Sequence, residues 1–231
     1  MVKKIVLVLG VLVAILVAVI ALQPSDFAIE RETVIAAPPD VIFPHLESPK
    51  ALDVWSPWMK MDPKIEVKYE GPESGVGASE TWEGPEMGVG SLTVTGVKPN
   101  EEVELSLEFL KPMQATNRAL FTLTPVGEGT RVAWRMEGTN NFVAKAASLV
   151  MNMDDMVGGT FEKGLADLKA LAEADAQKLA AAQAAGESGT MTLEQMHEAI
   201  GDPEDPNAAV EELLEIPGPP GQVEPAPPSD E

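Results

Sequence analysis

From Phe142 to about Ala174 the chain reads FVAKAASLVMNMDDMVGGTFEKGLADLKALAEA. Its apolar residues recur at helical spacing through Phe142, Ala146, Leu149, Met153, Met156, Phe161, Leu165, Leu168 and Leu171. One long helix with one long greasy stripe is expected here, and that stripe must be covered. The strand-like segments that precede it are the only cover available. The chain is therefore expected to be α+β, a curved antiparallel sheet of six to seven strands around a long C-terminal helix, with any ligand space lying between the two.

Those strand-like segments are set apart by turn signals. Phe27 to Ala36 alternates Phe27, Ile29, Arg31, Thr33 and Ile35 against Ala28, Glu30, Glu32 and Val34. Pro38-Pro39 ends that strand, and Pro39 suits an early helical position. A short helix through Val41, Ile42, Phe43 and Leu46 is interrupted at Pro44, and a second runs from about Lys50 to the Trp55-Ser56-Pro57-Trp58 loop. Strands then follow over Ile65–Tyr69, Gly77–Glu83, Gly88–Val97, Val103–Leu110, Ala115–Thr124 and Thr130–Glu137. In the later ones Val103, Leu105, Leu107 and Phe109 share a face, as do Val132, Trp134 and Met136. Glu104, Glu108, Arg131, Arg135 and Glu137 fall on the opposite, solvated side, where cross-strand charge pairs are expected.

At the other end, Ile5 to Leu22 is uniformly apolar. Eighteen residues rising ~1.5 Å each span ~27 Å, close to the ~30 Å hydrocarbon core of a bilayer. Lys3 and Lys4 precede the run, whereas Asp26, Glu30 and Glu32 follow it against Arg31 alone. That bias leaves the amino terminus in the cytoplasm and sends the rest across, giving a single-pass membrane protein whose folded domain is extracytoplasmic, periplasmic in a bacterium. A cleaved signal peptide is the rival reading, although the run exceeds the roughly 7 to 15 apolar residues usual there. Both export the domain. The expected divisions are an anchor or signal segment over 1–25, the folded domain over 26–175, and a helical extension with an acidic, Pro-rich disordered tail over 176–231.

Charge and composition exclude several function classes. The formal charge of the 231 residues is −21, and from Gly186 onward there are twelve Asp or Glu and no Lys or Arg. Nucleic acid, whose phosphates demand a basic surface, is not an expected partner. With no cysteine and two histidines, His45 and His197, neither a thiolate nor a His-rich metal site is available, and no metal or cofactor is expected. His45 is expected to be exposed or capping. Gly75-Val76-Gly77 lies between strands and Gly158-Gly159 inside a helix, so neither is a phosphate loop, and the second suits close approach of the sheet. Beyond the long helix, Asp175–Ala185 is expected to extend it into solvent until Gly186–Gly189 breaks it, and Thr192 to cap a short helix bearing Leu193, Met196 and Ile200.

The order strand, two short helices, antiparallel strands, long helix is the helix-grip arrangement. Over about Phe27 to Ala172 the chain resembles the SRPBCC superfamily. Within it the likeness is to the polyketide cyclase/dehydrase-like branch related to START lipid-transfer domains and to the birch-pollen allergen fold. The likeness is carried by Ala36-Ala37-Pro38-Pro39-Asp40-Val41-Ile42-Phe43, by Trp55-Ser56-Pro57-Trp58 with Asp62-Pro63, and by Tyr69-Glu70-Gly71-Pro72 with Gly75-Val76-Gly77-Ala78. Trp82-Glu83-Gly84 and Phe161-Glu162-Lys163-Gly164-Leu165-Ala166-Asp167-Leu168-Lys169 continue it. The resemblance implies a cavity between sheet and helix, with Trp55 and Trp58 near its mouth. It does not choose among functions, since the scaffold hosts ligand carriers, cyclases, hydrolases and chaperone regulators.

Within that frame the ligand-binding candidates are Trp58, Trp82, Phe109, Phe121, Trp134 and Met136, with Met153 and Met156 on the helix. The bland alternative is that they fill a core. Glu80 alternates with Val76, Ala78 and Trp82, so it either faces inward as an acid of raised pKa, able to act as an acid or base or to hold a polar ligand group, or is exposed by a twist or paired with Arg118. The expected function is a membrane-tethered binding domain for a hydrophobic small molecule or lipid. A cyclase- or hydrolase-like enzyme using Glu80, and an interaction module whose acidic tail holds a protein partner, are the alternatives.

Overall fold

A computed structural model describes residues 2–149 and 152–189. The short helix expected from Thr192 and the Pro-rich end lie outside the described residues. The elements run α1 (Val2–Leu22), β1 (Asp26–Ile35), α2 (Pro39–Ile42), a 3₁₀ turn (Phe43–His45), α3 (Pro49–Trp55) and α4 (Pro57–Met61). Then come β2 (Glu66–Glu70), β3 (Ser79–Gly84), β4 (Gly88–Lys98), β5 (Glu102–Lys111), β6 (Ala115–Val126), β7 (Gly129–Thr139), α5 (Phe142–Ala147) and α6 (Met153–Gly189). Residues 1–181 form one compact unit, and 182–189 are the end of α6.

All seven strands join one antiparallel sheet in the order β1-β7-β6-β5-β4-β3-β2. The register places Ile29 opposite Met136, Phe121 opposite Trp134 and Val103 opposite Phe121, so the buried members of β1, β7, β6 and β5 share one face. Two register shifts interrupt the β4–β5 pair, at Val89/Gly90 and Val94/Gly96, where a bulged strand bends. Its other face carries the expected charge pairs: Arg118 to Glu104 at 2.6 Å and Glu137 at 3.1 Å, Arg135 to Glu30 at 3.2 Å, and Arg131 to Glu32 at 3.7 Å. Solvent screens such pairs, and each is worth about 0–1 kcal/mol.

The helices begin where proline permits. Pro39, Pro49 and Pro57 each stand in a first helical turn, where the missing N–H costs nothing. Trp55 and Trp58 are consequently not in a loop: Trp55 ends α3 and Trp58 lies in α4. Buried Asp62, just past α4, accepts from the backbone N–H groups of Glu86 at 2.8 Å, Met87 at 3.0 Å and Lys64 at 3.3 Å. Burial opposes its charge, but those donors outweigh the penalty and hold the carboxyl below its ordinary value.

The single helix expected from Phe142 is two. Asn141 caps α5 by accepting from Ala144 N–H at 2.9 Å, and Ser148 Oγ donates back to the Lys145 carbonyl at 2.8 Å where α5 stops. Asn152 then stands before α6, accepting from Asp155 N–H at 3.4 Å. Only the later part of the apolar stripe is gripped: Phe161, Leu165, Leu168 and Ala172 are buried, whereas Phe142, Leu149, Met153 and Met156 are exposed. The helix also does not break at Gly186, since α6 continues to Gly189.

Polar contacts fix α6 to the sheet edge and the short helices. Arg31 on β1 reaches Asp154 at 2.9 Å and Glu162 at 3.0 Å, and Lys60 reaches Asp167 at 2.7 Å. His45 is neither exposed nor a cap; its Nε2 lies 3.3 Å from Asp175. Gly158 gives Arg31 its space, because a Cβ there would overlap the guanidinium, while Gly159 faces open space. Arg31→Met is expected to speed amide hydrogen exchange over residues 153–160 and leave Leu165–Ala172 protected, because the clamp holds only the first turns.

Among the described residues, α1 is the one helix long and apolar enough to cross a membrane. Its side chains are exposed along nearly its whole length, Ile20 excepted. Only Gln23–Ser25 separate it from β1, and the Ser25 carbonyl accepts from Asn140 N–H at 2.7 Å, which ties the end of α1 to the β7–α5 corner. Helices α1 and α5 are in contact.

Candidate functional site: a cavity between sheet and helix

Between the concave sheet face, α3–α4 and the α5–α6 corner lies a cavity of about 800 Å³, within the ~300–1,000 Å³ range of small-molecule sites. Strand alternation aims its wall inward. Trp82, Phe109, Phe121, Trp134 and Met136 all line it, as do Trp58 from α4 and Met153 from α6. Met156 does not: it is half exposed, and Val157 takes the place expected for it. Phe161 is also outside the lining, stacked on Trp134 with centroids 4.0 Å apart and planes 7° from parallel. Exposed Leu149, Asn152 and Met153 form a rim at the corner.

One end of the wall depends on an absent side chain. Trp82 and Phe109 meet edge to face, centroids 5.7 Å apart, across Gly90, which the register places between them. A Cβ at Gly90 would overlap the Trp82 ring. This strand glycine is therefore required for the close approach of the two aromatics.

Against that apolar wall stands a small polar group that sequence reasoning assembled only in part. Glu80 on β3 is 4% exposed and lines the cavity. The exposed reading of Glu80 and its pairing with Arg118 are both excluded, since Arg118 is on the outer face with Glu104 and Glu137. Its neighbour is Asp53 from α3, close enough for each carboxyl to perturb the other. Tyr69, opposite Glu80 in the β2–β3 register, donates its hydroxyl to Asp53 Oδ2 at 2.7 Å. Burial foremost, then the Asp53 charge and hydrogen bond, push the Glu80 carboxyl up to about 9. Burial raises Asp53 too, against the lowering effect of its bonds from Tyr69 and Glu80. The Tyr69 hydroxyl is raised by burial and by accepting neighbours of negative charge. The neighbouring carboxyls disfavour a second charge between them, and Glu80 keeps its proton at neutral pH.

Three buried polar atoms here lack a partner: Glu80 Oε2 and the indole nitrogens of Trp82 and Trp134. Asn117 and Asn140 add polar lining near β1 and β7. Asp53 carried no sequence signal, and Tyr69 only its place on a strand and in the stretch that carries the family resemblance. Among the described residues no group of three His, Cys, Asp or Glu is disposed to hold a metal ion.

Comparison with solved structures gives partial likenesses. Protein CV1439 from Chromobacterium violaceum shares 18% identity, covering 63% of this chain and 96% of its own, with a TM-score of 0.48. Protein MLL2253 from Mesorhizobium loti shares 17% over 63% and 96%, TM-score 0.47. The Aha1 dimer from Colwellia psychrerythraea shares 19% over 64% and 96%, TM-score 0.46. A comparison with curated proteins returns no match. The family model described as polyketide cyclase / dehydrase and lipid transport matches residues 26–173, from the first strand through the gripped part of α6. With more than half of its length so matched, the chain belongs to the polyketide cyclase / dehydrase and lipid transport family.

Proposed function

We propose that this protein is a membrane-tethered carrier that binds a lipid or another hydrophobic small molecule in the cavity and releases it unchanged. The observation that carries this reading is the 800 Å³ space itself, walled mainly by aromatic and aliphatic side chains. Its methionines, Met59, Met87, Met136 and Met153, suit ligands of variable shape.

The α1 helix supplies the tether, and Lys3-Lys4 ahead of it favours an extracytoplasmic domain. Three linker residues reach ~10 Å at most, so the corner beside α1 stays near the bilayer surface. That corner bears exposed Phe142, Val143, Leu149, Met153 and Met156, of which Leu149 and Met153 form the cavity rim. An apolar rim at the interface lets a ligand pass from lipid to cavity without crossing water.

The test is native mass spectrometry of the full chain released from nanodiscs, with Leu107→Trp as a filled-cavity variant. Leu107 lines the cavity and is half-buried, so the larger ring projects into empty space. Wild type is expected to retain an unmodified lipid, and the variant at least about tenfold less, the loss of ~1.4 kcal/mol of binding. Equal retention by both overturns the reading. A chemically altered ligand instead favours the enzyme alternative, to which the proton-bearing Glu80 gives its one specific support as a general acid.

A further inference from the structure

The cavity reading leaves open what kind of polar end its ligand has, and the unpartnered atoms of the wall address this. We propose that the Asp53–Glu80 pair is a headgroup site, selecting amphiphiles whose polar end is an uncharged hydrogen-bond donor, a hydroxyl in the simplest case, and rejecting those that end in a carboxylate. The inference rests on the carrier reading.

The geometry is specific. Asp53 neighbours Glu80 and accepts the Tyr69 hydroxyl on Oδ2 at 2.7 Å, so that oxygen is already supplied. Beside half-buried Asp53, buried Glu80 resists ionisation, which leaves the pair with one negative charge. Lys50 lies over the Tyr69 ring at 5.7 Å from its centroid, and among the described residues no cation forms an ion pair with Asp53 or Glu80. Glu80 Oε2 is an oxygen acceptor, buried, in the cavity wall and without a donor. An acceptor left unmatched in a dry site is costly, and a ligand that brings the donor recovers that cost.

Trp82, two residues along the same face of β3, adds an indole N–H that also lacks a partner. A hydroxyl matches both needs, with one hydrogen to give and lone pairs to receive. A carboxylate has no hydrogen to give and brings a second negative charge beside the first. The long apolar wall takes either chain equally, so discrimination falls on the head.

The experiment uses the full chain in nanodiscs and a sixteen-carbon alcohol carrying a mid-chain diazirine, photocrosslinked at about pH 7 with labelled peptides mapped. Unlabelled 1-hexadecanol and hexadecanoate compete at matched fractions of the disc lipid. In wild type the label is expected on peptides of β3, β6 and β7, with the alcohol competing about tenfold better than the acid, the effect of one buried hydrogen bond. Glu80→Leu, which replaces a buried carboxyl by an apolar side chain of similar size, is expected to abolish that preference while labelling of the cavity persists. Glu80→Gln keeps a carbonyl oxygen for the ligand and an N–H for Asp53, and is expected to keep it. Equal competition in wild type, or a preference that survives in Glu80→Leu, overturns the headgroup site and leaves the carrier reading standing. Label that never falls on cavity peptides overturns both.

Discussion

Replacing Phe161 with alanine is expected to lower the unfolding free energy by about 3–5 kcal/mol, the range for truncating a fully buried aromatic. Phe161 has no exposed surface, and it is the point where α6 meets the aromatic cluster of the sheet. Its ring lies flat on Trp134, which in turn meets Trp55 edge-on at 5.5 Å and Phe121 at 5.1 Å. The change removes the stack and opens a void that the α6 backbone cannot close, because Leu165 and Leu168 hold the next turns in place. Phe161→Leu should cost about 1.5 kcal/mol or less, since most of the volume stays filled. Met156→Ala, at a half-exposed position, should fall within about 0.5 kcal/mol of wild type. Urea unfolding followed by tryptophan fluorescence measures all three, with Trp134 as an internal reporter of the stack. Comparable losses at Met156 and Phe161 would mean that the grip begins a full turn earlier than these contacts place it.

That contrast marks where the sequence was legible. Period-3.6 spacing runs unbroken from Phe142 to Leu171, yet it describes two different surfaces, a rim open to solvent and a stripe held by the sheet. Periodicity reports which residues share a face and is silent on what covers that face. Ser148 and Asn152, which flank the break in the helix, were visible as residues but looked like any polar positions on its outer side. Strand alternation was more informative, because a sheet with one wet face commits every second residue. It placed Val103, Leu105, Trp134 and Met136 correctly inside, but for Glu80 it left an inward position beside Trp82 open against an exposed or Arg118-paired one, and only the fold shows the side chain buried. Its partner was not legible, since Asp53 comes from a short helix whose packing on the sheet is set by long-range contacts. Sequence spacing carries no record of such a meeting.

The second large effect concerns that same pair and has the opposite sign. Glu80→Gln is expected to stabilise the protein near neutral pH and to flatten the fall of its stability on the alkaline side. In the native state the Glu80 carboxyl is pushed up to about 9, against an ordinary 4.5 in the unfolded chain. Below pH 4.5 both states hold the proton and the group contributes nothing. Between those values the unfolded chain releases a proton that the native state keeps, so native stability falls with rising pH, by at most about 1.4 kcal/mol per unit. Above about 9 the native carboxyl ionises as well, and the penalty levels off. Glutamine does not titrate, so the advantage of the variant grows from nothing near pH 4.5 to about 1–3 kcal/mol at pH 7, local relaxation absorbing the remainder. The acid limb should be unchanged. Asp62 and Asp154 sit below their ordinary values, and the stability they contribute is lost as pH falls through those values in both proteins. Thermal unfolding of wild type and variant from about pH 4 to pH 9 reads the difference directly; parallel curves would mean that Glu80 is already ionised in the folded protein. Diverging curves would show a buried acid held at a cost to the fold, which is the pattern of a residue retained for what it binds and not for what it stabilises.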